Sequence, residues 1–109
     1  MWIFTTSGFI SAVKIDDHII VRARDKKSLE PLAHFTHQSI KHTPLSDYPY
    51  RLTSNSKQFA QWTEAMASNI DYSNFKSEVA LTRGNKFAKA LSKVWSDMHD
   101  VEDSEARKR

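Results

Sequence analysis

A chain of 109 residues that is 39% hydrophobic, with six Phe, three Trp and three Tyr, carries enough apolar side chain for one folded core and too much for a disordered segment. The absence of cysteine excludes a disulfide framework, thiolate catalysis and Cys-ligated zinc, and no run approaches the ~18 consecutive apolar residues of a membrane span. A net charge of +3, from 16 basic and 13 acidic residues spread along the chain, permits attraction to polyanions without requiring it.

Trp2 to Phe4 opens an extended segment that lacks a basic leader and a small-residue cleavage site, so a strand is expected there and not a signal peptide. Ser7-Gly8 supplies a tight turn with the positive φ that glycine tolerates, and Phe9 opens a second strand. In FISAVKI, Phe9, Ser11, Val13 and Ile15 share one face while Ile10, Ala12 and Lys14 share the other, a pattern apolar on both sides that predicts a central strand. Asp16-Asp17 makes the next turn. HIIVRAR then sends Ile19, Val21 and Ala23 to one face and His18, Ile20, Arg22 and Arg24 to the other, which projects two arginines side by side.

Ser28 is expected to cap a short helix over 28–37 that carries Leu29, Leu32, Ala33 and Thr36. A start at Asp25 would bury Pro31 in the helix interior, whereas a Ser28 cap leaves it in the first turn, where its missing N–H costs little. Ser39 to Thr43 predicts a fourth strand, and Tyr48 to Thr53 a fifth in which Pro49 implies an edge or an irregular start. Asn55 and Gln58 form a capping pair ahead of the clearest amphipathic stripe, Phe59, Trp62, Ala65, Met66, Asn69 and Ile70. Ser73 is placed to cap a helix bearing Phe75 and Val79 that Arg83-Gly84 ends, and Asn85 to cap a last one carrying Phe87, Ala90, Leu91, Val94, Trp95 and Met98.

Strands come first and helices later, with no βαβ alternation, which predicts an α+β fold. The expected architecture is an antiparallel sheet of four or five strands beginning as a β-meander, with one face covered by three or four helices. It forms a single domain over 1–98, followed by a charged, flexible tail over 99–109.

No dinucleotide or phosphate-loop motif and no H-E-x-x-H occurs, and Gly8 and Gly84 are the only glycines. His34-x-x-His37 lacks companion ligands at a metal-binding spacing, so a surface pair is expected, with no metal and no cofactor. Asp16-Asp17 lies in a turn that favours Asp for its own backbone hydrogen bonds, and no G-x-S-x-G elbow is present, so no catalytic residue is assigned.

Arg22 and Arg24 carry more information, because guanidinium groups at alternate positions of a strand can grip phosphates bidentately or stack on bases. The bland alternative is that they pair with acids or keep a solvated face soluble. In DYPYRL, strand alternation sends Tyr48, Tyr50 and Leu52 one way and Asp47, Pro49 and Arg51 the other, unless the chain bulges at the proline. The tyrosines are then expected to face the core, and Arg51 to lie outward beside Arg22 and Arg24, with Lys41 and His42 near by. Lys86, Lys89 and Lys93, aligned opposite the apolar stripe of the last helix, offer a second row of phosphate contacts or simply a solvated face.

The segments WIFTTSGFISAV, VRARD, TPLSDYPYRL and IDYSNFKSEVA together resemble a family of small uncharacterised proteins of bacteria and their phages, over residues 2–98. The resemblance implies a bacterial cytoplasmic setting and brings modulation of a host protein into consideration. It transfers no activity and no site residue. The residues themselves favour a small, basic, non-catalytic module binding RNA or DNA backbone through Arg22, Arg24, Arg51, Lys41, His42, Lys86, Lys89 and Lys93. An alternative is a protein-interaction domain, such as a homodimer, built on Trp2, Tyr48, Tyr50 and Tyr72. A third reading is a metal-independent RNase of toxin type with Arg, Tyr and His42 or His99 as its working groups.

Overall fold

Two-residue links, Thr6-Ser7 and Asp16-Asp17, fold the start of the chain back on itself twice and set the register of everything that follows. The structure, a computed structural model, describes residues 1–107; residues 108 and 109, the end of the expected tail, lie outside the described residues. Strands β1 (Trp2–Thr5), β2 (Gly8–Ile15) and β3 (His18–Ala23) form the meander. The chain then runs through α1 (Glu30–Thr36) and β4 (Lys41–His42) to β5 (Tyr50–Ser54), which pairs with β3 and leaves β4 outermost. The sheet is antiparallel throughout, in the order β1-β2-β3-β5-β4. Helices α2 (Ser56–Ser68), α3 (Phe75–Arg83) and α4 (Asn85–Asp97) complete the α+β fold, with a 3₁₀ turn at Met98–Val101. No helix among the described residues is long and apolar enough to cross a membrane.

Alternation along the strands makes the core. Ile10, Ala12, Val21, Ala23 and Leu52 are buried on one sheet face, and Leu29, Leu32, Phe59 and Trp62 close over them from α1, the residue before it, and α2. Burial of each large aliphatic side chain here contributes roughly 1.5–3 kcal/mol, so this face carries most of the favourable free energy of folding. Asn55 caps α2 as its sequence indicates, its side-chain oxygen accepting from Gln58 N–H at 2.7 Å.

Several boundaries differ from expectation for local reasons. Helix α1 starts two residues late, at Glu30, with Leu29 in the cap position and no side-chain cap, because the Ser28 hydroxyl is engaged elsewhere. The helix ends at His37, whose φ of 57° places it in the left-handed region. Strand β4 is only two residues long, since Thr43 N–H turns to bond the Pro49 carbonyl at 2.7 Å and a turn closed by Ser46 follows. Strand β5 begins at Tyr50, after the proline, and not at Tyr48. Asn74, not Ser73, caps α3 by accepting from Ser77 N–H at 2.9 Å. The cap of α4 is Gly84, at φ 90°, and Asn85 is its first helical residue.

The α3–α4 hairpin is attached through its hinge. The Arg83 guanidinium donates to the Ser7 carbonyl and to the Asp25 carboxylate, and the Thr82 hydroxyl donates to the Thr6 carbonyl. Ser28 completes the joint by donating to Asp25 and accepting from Phe9 N–H at 3.1 Å. Gly8 is therefore the first residue of β2 and not part of the turn. Its φ of +147° disfavours any side chain, and a Cβ there would collide with Ser28 Oγ and Arg83 Nη1. Beyond the hinge α4 stands over Phe4 of β1 and Phe9 of β2, with Leu91 as its one buried residue. The radius of gyration of 15.6 Å and the long dimension of 50 Å reflect this projecting element, since a compact chain of this length has a radius of about 13 Å.

Gly8→Ala is expected to lower stability by about 1–3 kcal/mol through backbone strain and displacement of Ser28, measurable by chemical denaturation. A pH dependence follows from Asp25. Burial raises its pKa, but the Ser28 and Arg83 hydrogen bonds and the Arg83 charge outweigh burial and hold the carboxyl below its ordinary 3.8. A depressed folded-state pKa means that the stabilisation is present above the unfolded value and is lost as pH falls through the folded one. The melting temperature of wild type should therefore exceed that of Asp25→Asn at neutral pH, and the gap should close below 3.8. An equal gap at pH 7 and at low pH would contradict this assignment.

Candidate nucleic-acid interface

The same alternation that fills the core leaves a second face of the sheet, and its central row can be read from the register. Trp2 pairs with Ser11, Ser11 with Arg22, Arg22 with Arg51, and Arg51 with Lys41. Residues paired in an antiparallel ladder project to the same side, so one line of side chains crosses all five strands: an indole, a hydroxyl, two guanidiniums and an ammonium. Four strand spacings give the row a length of roughly 19 Å.

The two central guanidiniums are neighbours in register and have no acid between them. Like charges directly opposite on a sheet are unfavourable, and among the described residues no ion pair involves Arg22, Arg51 or Lys41. Arg22 Nη2 donates to Ser11 Oγ at 3.1 Å. The Nε atoms of both Arg22 and Arg51 are buried without a hydrogen-bond partner in the protein.

Tyr48 supports this arrangement from an unexpected side. It precedes β5, so strand alternation does not govern it, and its ring is buried on the arginine face with the guanidinium carbons of Arg22 and Arg24 at 4.7 and 4.9 Å from its centroid. The expectation that Tyr48 faces the core with Tyr50 is thus overturned; Tyr50 and Leu52 do pack toward the core. The Asp47 loop is held down by Arg24, which pairs with the Asp47 carboxylate at 3.2 Å and donates to its carbonyl at 3.1 Å. A ring face attracts cations without cancelling their charge, so Tyr48 holds two guanidiniums in place and leaves that of Arg22, which has no acidic partner among the described residues, electropositive.

An aromatic cluster forms the other end of the face. Phe9 stacks on Phe4 with centroids 4.7 Å apart and meets Trp2 edge-on at 5.4 Å. Trp2 is 68% exposed. Helix α4 stands over this end, enclosing an open groove of about 620 Å³ whose walls include Phe4, Phe9, Leu91 and Val94, with Arg24 and Lys86 among its polar residues.

Arg22, Arg51 and Lys41 therefore come together as the sequence suggests, with Arg24 adjacent but paired to Asp47. Lys86 reaches the groove; Lys89 and Lys93 are exposed on α4, away from the row. His42 leaves the cationic set. It pairs with Tyr50, which puts it on the opposite face, where the two rings stack at 4.6 Å. Tyr72 is half-buried and tilts against Phe75 at 5.9 Å, so of the four aromatics considered for contacts only Trp2 is widely exposed. His99 is engaged with Glu102 at 3.2 Å and with the Trp95 ring. No cluster of three or more His, Asp or Glu side chains among the described residues is arranged to hold a metal. Ser11, Phe4 and Phe9 belong to the face but were not singled out; Ser11 and Phe9 share the parity of the outward positions of β2, which was the available signal.

Tyr48→Leu keeps volume but removes the ring face, and it is expected to lower stability by about 1–2 kcal/mol. Asp47→Ala should cost well under 1 kcal/mol, because its exposed ion pair is screened by solvent. Urea denaturation of both variants checks the order. No family model matches this chain, and no curated protein or solved structure matches it.

Proposed function

We propose that the open sheet face binds single-stranded nucleic acid, with phosphates along Arg22, Arg51 and Lys41 and a base stacked on Trp2. The observation that carries this reading is the Arg22–Arg51 pair, two arginines opposite one another in the ladder with no carboxylate partner among the described residues. A phosphate that accepts from the Nη groups of both would relieve their mutual repulsion. Arginine suits the task because its planar fork matches phosphate oxygens and its charge is weakly hydrated.

The aromatic end complements the cationic one. Single-stranded binding surfaces combine a basic track for the backbone with rings on which bases stack, and every base presents a π-face. The row from Trp2 to Lys41 sets those two chemistries side by side on a sheet wide enough for several nucleotides. Nothing in the row resembles a base-edge readout, so the affinity is indifferent to sequence and sensitive to salt. Tyr48 acts as the positioning residue that keeps Arg22 extended over the face.

The test is an anisotropy titration with labelled RNA and DNA oligomers. Each neutralised phosphate of a single strand contributes a slope of about −0.7 in log K against log salt, so three contacts predict a slope of about −2. Arg22→Ala/Arg51→Ala should weaken binding by about tenfold or more and flatten the slope by about 1.4 units. Trp2→Ala should weaken it with the slope unchanged, since stacking releases no counterion. Absence of binding at low salt, or an unchanged affinity in the double arginine variant with its circular dichroism intact, would overturn the reading.

A further inference from the structure

The groove between α4 and the sheet is chemically divided. Its apolar walls are Phe4 and Phe9 of the sheet and Phe87, Ala90, Leu91 and Val94 of the helix. Its charged and hydroxyl side chains, Arg24, Asp25, Ser28 and Lys86, gather at the end nearest the Gly84 hinge. Two of these four are already engaged with the protein. One Asp25 oxygen accepts from Ser28 and the other from Arg83, and Ser28 Oγ in turn accepts from Phe9 N–H. The other two are cations. Lys86 is exposed and has no ion-pair partner among the described residues, and Arg24 makes both of its Asp47 contacts through Nη1, which leaves its Nη2 open.

This division selects the ligand. A nucleobase, a sugar or a peptide carries polar groups along its whole length, and against these walls they would be desolvated without partners. A hydrocarbon chain leaves nothing unpaired there, and one anionic head suits the cations at the hinge end. The volume of about 620 Å³ lies in the range of small-molecule sites, roughly 300–1,000 Å³. From Lys86 to Val94 the helix rises about 12 Å, a span that a zigzag of carbon–carbon bonds of about 1.5 Å covers with roughly ten carbons.

We propose that the groove binds a free medium-chain fatty acid, its carboxylate between Lys86 and Arg24 and its chain laid along Phe9, Phe4, Leu91 and Val94. Phe4 and Phe9 stack within 19° of parallel and give the chain a continuous apolar floor. The acyl chains of a membrane lipid, which fill half of a hydrocarbon core of ~30 Å, overrun a groove of this length, so the ligand is the free acid. The proposal uses neither Arg22 nor Arg51 and does not rest on the nucleic-acid reading.

Isothermal titration calorimetry with hexanoate, octanoate and decanoate tests it. Each methylene buried should tighten binding roughly threefold to fourfold, up to decanoate. Octan-1-ol should bind about tenfold more weakly than octanoate, because it lacks the charge that the two cations receive, and octylammonium should not bind. Lys86→Glu should weaken octanoate by about tenfold or more and bring octylammonium to measurable affinity. Ala90→Trp should fill the groove and abolish binding of every chain, its circular dichroism unchanged because Ala90 is exposed. Arg22→Ala/Arg51→Ala should bind decanoate as wild type does, whatever happens to its oligonucleotide affinity. Failure of decanoate to bind, an affinity flat in chain length, or equal binding of octanoate and octan-1-ol would overturn the proposal. So would adenosine monophosphate that displaces decanoate as well as octanoate does, which would assign the groove to a base, or co-sedimentation with phosphatidylglycerol vesicles that Ala90→Trp abolishes, which would assign it to a membrane.

Discussion

Arg83 holds the two parts of the molecule in their relative position. It stands at the last turn of α3, immediately before the Gly84 hinge, and its guanidinium reaches the β1–β2 link at Ser7 and the segment after β3 at Asp25. Its side chain is 14% exposed, so the charge depends on Asp25 for compensation. Ser28 is drawn into the same joint, which is why it does not cap α1, and Gly8 is required beneath it because no Cβ fits. From this joint follow the line of α4, the groove over Phe4 and Phe9, and the apolar stripe that projects beyond the body. A contact between the end of α3 and two loops thus decides which surfaces the fold leaves uncovered.

Strand parity does the rest. In β3 the odd positions Ile19, Val21 and Ala23 contribute to the core while Arg22 and Arg24 are carried on the reverse side by the residues between them. A slip of one residue would bury the guanidiniums and expose Val21, at a cost of several kcal/mol, so core packing and the cationic row enforce each other. The alignment of Arg22 with Arg51 and Lys41 is therefore specified by the hydrophobic face and needs no attraction among the cations themselves.

Much of this was legible in the sequence, and the misses share a cause. The alternation in FISAVKI and HIIVRAR identifies the meander and the outward arginines, and the Asn55/Gln58 pair identifies the start of α2, because these signals are local and periodic. Where a side chain is claimed by a distant partner, local rules fail. Ser28 reads as a cap but serves Asp25 and Phe9; Tyr48 reads as a strand residue but lies before the strand, under Arg22 and Arg24. His42 could have been separated from Lys41 by parity alone. The joint centred on Arg83 spans 58 residues to Asp25, and no spacing rule reaches that far.

The contrast among the arginines bears on whether the row is functional or merely solubilising. Arg83 is held by Asp25, Arg24 by Asp47 and Arg107 by Glu102, so the fold brings carboxylates to guanidiniums where it can. Arg22 and Arg51 receive none, although they are directly opposite one another in the ladder and each has a buried Nε. A face that needed only solubility would be better served by lysines, whose ammonium groups reach bulk water on a flexible stem. Half-buried arginines whose Nε atoms are desolvated carry a cost that solubility does not explain, and the Tyr48 ring offsets part of that of Arg22 without neutralising its charge. An anion that accepts from both guanidiniums would remove the remainder, and a phosphate backbone supplies such acceptors at regular intervals.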